Sequence, residues 1–272
     1  MGPMAVLAEA VGQGGSAALD EVLALLRLER LEETLFRGVS NDIGTTSVFG
    51  GLVLGQALMA AGATVPTHAV HSLHGYFIRP GDKRAPILYT VERTRDGASF
   101  STRSVTASQG GKAIFQMLAS FQRAEGGLDH QCAMPDVQLP EQLADDSQAG
   151  AQRAIVFRTV DQAPGRAWMR ADGRLPDDPL LHHALLAYAS DLKLLGAAVR
   201  RHGLDPRPPN LHSVSLDHAM WFHRGFRFDD WLLFETDSPS ASHARAMCRG
   251  SIFGRDGRLL ASVAQEGLIR LR

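Results

Sequence analysis

The spacing of apolar residues switches from a helical to a strand period twice along the chain, in the same order each time. Leu19, Val22, Leu23 and Leu26 recur at helical spacing and predict a first helix over residues 18–36 that packs by one face. Phe36 to Val48 read as a strand and loop. The next run, VFGGLVLGQALMAAGATV, is apolar almost all round and stops at Pro66, the pattern of a buried central helix. From His68 the period falls to two. HAVHSLHGYFIR, PILYTVERT, FSTRSVTAS and KAIFQMLASFQR are four strands separated by Gly- and Asp-containing turns. A helix followed by an antiparallel meander is an α+β unit.

Residues 124–165 break the pattern with Gly, Pro, Gln and Asp and read as a connector, with a short helix at Pro140 to Asp146. The plan then repeats. AIVFRTVD and RAWMRADG are strand-like, and PDDPLLHHALLAYASDLKLLG is a second central helix with Asp177 or Asp178 near its N-terminus, where a carboxylate complements the dipole. After RHGLDPRPPN come four more strands: LHSVSLDHAMWFH, DWLLFETDS, SHARAMCRGSIFG and LLASVAQEGLIRL. Matching element order and matching turns, GGK in one half and DGR in the other, argue for internal duplication. The expected domains are an N-terminal unit over 1–123 with a flexible arm at 1–15, the connector at 124–165, and a C-terminal unit over 166–272.

Composition removes several functional classes. A net charge of −1 over 272 residues gives no basic field for nucleic acid. No apolar run reaches membrane-spanning length, and the N-terminal residues, with Glu9 inside their apolar part, make a poor signal peptide. Two distant cysteines, Cys132 and Cys248, fit a reducing compartment, so the expected location is cytoplasmic. Gly12, Gly14 and Ala17 form a degenerate dinucleotide fingerprint without the strand that motif requires; a loose arm with Ser16 near a helix N-cap is the simpler reading. There is no G-x-S-x-G elbow and no P-loop. His182 and His183, or His218 and His223, lack a closing ligand set, so no metal and no cofactor are expected.

Asp191 is the sharpest candidate. Leu185, Leu186, Tyr188 and Ala189 precede it and Leu192, Leu194 and Leu195 follow, and a carboxylate among leucines is costly to bury unless something bonds it. Ser215 lies in a strand pattern, with Asp217 two residues on as a rival carboxylate, catalytic or structural. Gln265 lies in the last strand, with Glu266 facing the other way. Gly50 and Gly51, at the start of the first central helix, leave backbone N–H groups open to close approach. Trp221, Phe222, Trp231 and Phe234 read as core aromatics.

Several stretches in order resemble one family. RGVSNDIG, VFGGLVLGQAL, HSLHGYFIRPGD, RDGASFSTRSV, ASFQ, PDDPLLHHALLAYASDL, LDHAMWFHR and LLASVAQEGLIR are similar to segments of the type II acyl-CoA thioesterases, from about Leu25 to Ile269. The resemblance implies a double hotdog, two units in which an antiparallel sheet wraps a helix. It implies a catalytic set of Asp191, Ser215, where better-known relatives carry Thr, and Gln265, confined to the second half. These would hold a water against the thioester of acyl-CoA, with an oxyanion site at a helix N-terminus such as Gly50 and Gly51. Attack by Asp191 itself is the variant mechanism. Arg79, Lys83, Arg84, Arg200 and Arg201 are the candidate partners of the CoA phosphates. A homo-oligomer, dimer or tetramer, is implied by resemblance alone. A non-catalytic acyl-CoA or lipid-binding protein on the same fold is the alternative. A dehydratase would want a substrate-facing His–Asp pair, and His218 and Asp217, as strand neighbours, point apart.

Overall fold

A computed structural model describes residues 15–146, 153–160, 165–204 and 210–271. Residues 1–14 of the expected arm, including Gly12 and Gly14, lie outside it. Helix α1 spans Ala17–Leu26, with Ser16 as its N-cap accepting the Leu19 N–H. It stops at Leu26 and does not continue to Phe36 as the leucine spacing suggested. Its expected second half instead holds the short strands β1 (Glu29–Arg30) and β2 (Leu35–Gly38). Leu, Arg and Glu favour a helix there, but pairing of β2 with the sheet buries Phe36, and that tertiary gain overrides weak local propensity.

Helix α2 spans Gly50–Gly62 and is buried on nearly all sides, as its composition required. Its one large polar side chain, Gln56, is fully buried and satisfied at both ends of the amide. It donates to the Leu25 and Val39 carbonyls and accepts from Tyr89 Oη. The four-strand meander follows as β3 (Ala69–Phe77), β4 (Ile87–Asp96), β5 (Phe100–Gln109) and β6 (Lys112–Gln122).

The second half contains β7 (Ile155–Thr159), β8 (Arg166–Ala171), α3 (Pro179–Ser190), α4 (Gly196–Arg201), β9 (Leu211–Ser215), β10 (Asp217–Phe222), β11 (Leu232–Ser242), β12 (Arg245–Gly254) and β13 (Leu259–Leu271). Asp178 is the N-cap of α3, accepting from the Leu180 and Leu181 N–H groups. The expected long second helix is broken. α3 ends at Asp191, its C-cap, and α4 begins five residues later.

All the described strands form one sheet in the order β1-β2-β4-β5-β6-β3-β10-β13-β12-β11-β8-β7, with β9 pairing β13. The order β2-β4-β5-β6-β3 in the first half is answered by β10-β13-β12-β11-β8 in the second, a mirror-image layout of two hotdog units. They join where β3 pairs antiparallel with β10. The sheet wraps α2 and α3, which lie side by side and antiparallel: Gly51 meets Tyr188, Gly55 meets Ala184 and Gly62 meets Leu180. One large core, from Leu19 to Val263, contains both helices. A smaller cluster, Leu143, Val160, Trp168, Trp231, Leu233 and Phe253, is packed by Met134 and Val137, and Trp168 Nε1 donates to the Gln138 carbonyl. Trp231, Phe222 and Phe234 are buried as expected. Trp221 is not: it lies on the outer side of β10, edge-on to His74, because Met220 and Phe222 take the inward positions.

Candidate active site

The C-terminus of α3 delivers Asp191 to the interior, where its side chain is 3 % exposed. A helix C-terminus is the wrong end for a carboxylate, because the last carbonyls leave partial negative charge there. Two donors and a neighbouring helix offset that cost. Ser215 Oγ donates to Asp191 Oδ1 at 3.0 Å, and Gln265 Nε2 donates to the same oxygen at 2.6 Å. Gln265 Nε2 also lies 2.6 Å from Ser215 Oγ, which accepts its second hydrogen. The three side chains form a closed triangle on Oδ1. Reversing the Gln265 amide would place oxygen against carboxylate oxygen, so the network fixes its orientation. Gln265 Oε1 is buried and has no protein partner.

Asp191 Oδ2 faces the N-terminus of α2. A Cβ added to Gly50 would stand 2.9 Å from it and 3.0 Å from the Phe77 ring, so only glycine allows this approach. The backbone N–H groups of Gly50 and Gly51 precede the first complete helical turn and have no carbonyl a turn earlier to bond. The positive end of α2 therefore meets the negative end of α3 at the carboxylate.

A bulge directs Ser215. The pairing of β9 with β13 runs Ser215 to Gly267, whereas that of β10 resumes with Ala219 opposite Ala264, one residue out of step. Within it the Leu216 N–H donates to the Glu266 carbonyl and the Leu216 carbonyl accepts the Phe77 N–H. Asp217, the rival carboxylate, is spent here: its Oδ1 accepts the Glu266 N–H at 2.6 Å. The expected single strand over 211–223 is thus two strands. The slip also turns His218 inward, where strict alternation had placed it opposite Ser215. His218 is fully buried, with Nε2 2.9 Å from Ser190 Oγ and Nδ1 3.9 Å from Asp191 Oδ1. Residue spacing missed it because nothing in the run HSVSLDH marks the bulge except the Asp217 that fills it.

The other candidate histidines have local partners. His182 Nε2 donates to the Pro176 carbonyl while Nδ1 accepts the Phe228 N–H. His183 Nδ1 donates to the Pro179 carbonyl, and His223 pairs with Ser262. Among the described residues no His, Cys, Asp or Glu cluster has the makings of a metal site. Cys132 and Cys248 are free thiols. Of the basic candidates, Lys83 pairs with Asp42 and Arg84 with Asp82, beside the loop in which Val48 N–H donates to the Gly81 carbonyl just before α2. Arg79 donates to the Ala113 carbonyl, and Arg200, on α4, donates to Thr236 Oγ1. No helix among the described residues is long and apolar enough to cross a membrane.

Residues 152–268 match the family model of acyl-CoA thioesterases, and residues 37–122 match that of the acyl-CoA thioesterase N-terminal domain. The chain belongs to the type II acyl-CoA thioesterase family. It is 39 % identical to human acyl-coenzyme A thioesterase 8, over 92 % of this chain and 89 % of that one. It is 36 % identical to acyl-CoA thioesterase 2 of Haemophilus influenzae, over 94 % and 99 %. The crystal structure of an acyl-CoA thioesterase II from Mycobacterium marinum superimposes with a TM-score of 0.80 at 46 % identity, covering 93 % of this chain and 98 % of that one. The family's hotdog fold is the one described above.

Proposed function

We propose that this acyl-CoA thioesterase cleaves its substrate with one water held by Asp191, Ser215 and Gln265. The observation that carries the reading is the triangle itself. Two donors fasten Asp191 Oδ1, which fixes Oδ2 toward the N-terminus of α2.

Water bound to Asp191 Oδ2 attacks the thioester carbonyl carbon and gives its proton to the carboxylate. Gln265 Oε1, a buried acceptor without a protein partner, accepts a hydrogen bond from the water's other O–H and sets its direction. The carbonyl oxygen becomes an oxyanion beside the Gly50 and Gly51 N–H groups, where the positive end of α2 stabilises it. The C–S bond then breaks. The departing CoA thiolate takes the proton from Asp191, and the products are a free fatty acid and CoA. Arg79, Lys83 and Arg84, on the loops beside the start of α2, are the basic groups that would meet the phosphates of a substrate whose thioester lies at that helix end.

Asp191→Asn removes the base while keeping the side-chain shape, and release of free thiol from acyl-CoA, followed with a thiol reagent, falls by about 100-fold or more. A folded Asp191→Asn enzyme working at the parent rate ends this reading. A single turnover in oxygen-18 water separates the two mechanisms: direct attack by water puts the label in the fatty acid, whereas an anhydride route puts it in Asp191.

A further inference from the structure

Beside Asp191 Oδ1 stands a polar pair that the proposed mechanism does not use. His218 and Ser190 are both fully buried, and Ser190 immediately precedes Asp191 on α3. His218 Nδ1 has no hydrogen-bond partner in the protein, a rare condition for a buried nitrogen, and the nearest charged atom to it is Asp191 Oδ1 at 3.9 Å. We infer that His218, held by Ser190, is a positioning residue for Asp191: it presents an Nδ1–H to Asp191 Oδ1 and holds that carboxylate aimed at the water. The inference rests on the reading of Asp191 as the base.

The proton's place follows from the partners. Burial holds His218 below the usual imidazole range, against the pull of the Asp191 and Asp217 charges, so the ring is neutral near neutral pH and carries one hydrogen. Ser190 Oγ lies 2.9 Å both from His218 Nε2 and from the Ala187 carbonyl, and its hydroxyl is able to turn to either. Nδ1 has no such choice. A lone pair on Nδ1 would face a carboxylate oxygen, whereas an N–H there meets it favourably. The consistent arrangement is Nδ1–H toward Asp191, with Ser190 donating to Nε2. At 3.9 Å the contact is a charge–dipole interaction and not a formed hydrogen bond. The low dielectric of the interior makes it felt.

The remaining surroundings of His218 are accounted for. Asp191 reaches it from α3. Asp217, on its own strand, is bound to the Glu266 N–H on β13. The residue opposite on β3 is Gly75, which brings no charge, and Gln265 from β13 is neutral.

The test compares His218→Leu, His218→Asn, Ser190→Ala and Asp191→Asn in the full chain, each checked for folding by circular dichroism, with kcat and KM for acyl-CoA measured across pH. A donor facing any carboxylate favours its charged form, and losing such a donor favours the protonated one. His218→Leu is expected to lower kcat by up to about 100-fold with KM unchanged, and to move the acid limb of kcat/KM to higher pH. His218→Asn, whose amide is able to present an N–H near the same point, recovers part of both. A folded His218→Leu with the parent's kcat and acid limb overturns the inference. So does equal impairment of the Leu and Asn variants with an unmoved acid limb, which would mean packing alone. If the His218 variants do not fold, Ser190→Ala decides: lower kcat with a raised acid limb supports the inference, and parent behaviour overturns it. Asp191→Asn at the parent rate removes the underlying reading. An inactive Asp191→Asn beside an unaffected His218→Leu removes only the role of His218.

Discussion

Gly51 packs against the Tyr188 backbone where the two central helices meet: a Cβ on Gly51 would lie 2.5 Å from the Tyr188 carbonyl oxygen. Glycine to alanine inside a helix ordinarily stabilises by up to about 1 kcal/mol. Here the sign reverses, because backbone atoms cannot step aside as a flexible side chain would. Gly51→Ala is expected to destabilise by about 1–3 kcal/mol, read as a lower urea midpoint. The same separation of α2 from α3 draws Gly50 away from Asp191, so kcat falls in whatever fraction remains folded.

Asp217 holds the bulge that lets Ser215 and His218 both point inward to Asp191. Its bond to the Glu266 N–H is charge-assisted, and Asp217→Ala is expected to cost about 1.5–3 kcal/mol in chemical denaturation. Loss of kcat accompanies it, since the slip in register is what puts both side chains in place. Asp217→Asn keeps an acceptor oxygen and is expected to fall between the parent and Ala in both measurements.

Ser215 carries the hydroxyl on a flexible rotamer. Ser215→Ala removes one donor from Asp191 and is expected to lower kcat by about 10- to 100-fold, the size of one lost hydrogen bond to a charged group. Ser215→Thr keeps the hydroxyl and suits a strand better, so thiol release close to the parent rate is the expected result.

Stability should weaken as pH drops below neutrality, before any carboxylate is protonated. Burial holds His182, His183 and His218 below the usual imidazole range; the Arg227 charge adds to this at His182. Below about pH 6.5 the unfolded chain takes up protons that the folded chain refuses, so folding free energy is lost as pH falls from there toward the lower folded values. The loss is at most about 1.4 kcal/mol per pH unit for each such proton. The urea midpoint at pH 5.5 is therefore lower than at pH 7.5. Asp146 and Asp229 act in a separate window, below about pH 4, where their bonds to Lys193 and Arg227 are lost.

The helices, the two meanders and the meeting of the candidate trio could be read from the sequence because each had a local signature: all-round apolarity in α2, period-two runs in the strands, and the motif resemblance for Asp191, Ser215 and Gln265. What escaped was decided by contacts between distant segments. The stretch from Leu28 to Phe36 has helix-forming composition, yet it holds the short strand β1 and the start of β2, because β4 is there to pair with β2 and β2 with β1. The break at Leu216 and the inward turn of His218 depend on a side chain, Asp217, standing in for a ladder partner, and no periodicity encodes that substitution. Trp221 escaped for the converse reason: its size suggested core, but its position between two inward residues sent it outside.

The antiparallel seam of β3 and β10 does inside one polypeptide what symmetry would do between two identical subunits. A symmetric pair is obliged to build everything twice. Covalent fusion lifts that obligation, and under the mechanism proposed above one repeat lends a helix terminus while the other supplies the acid, the hydroxyl and the amide. Any account of how this enzyme arose has to explain a division of labour and not two copies of a job.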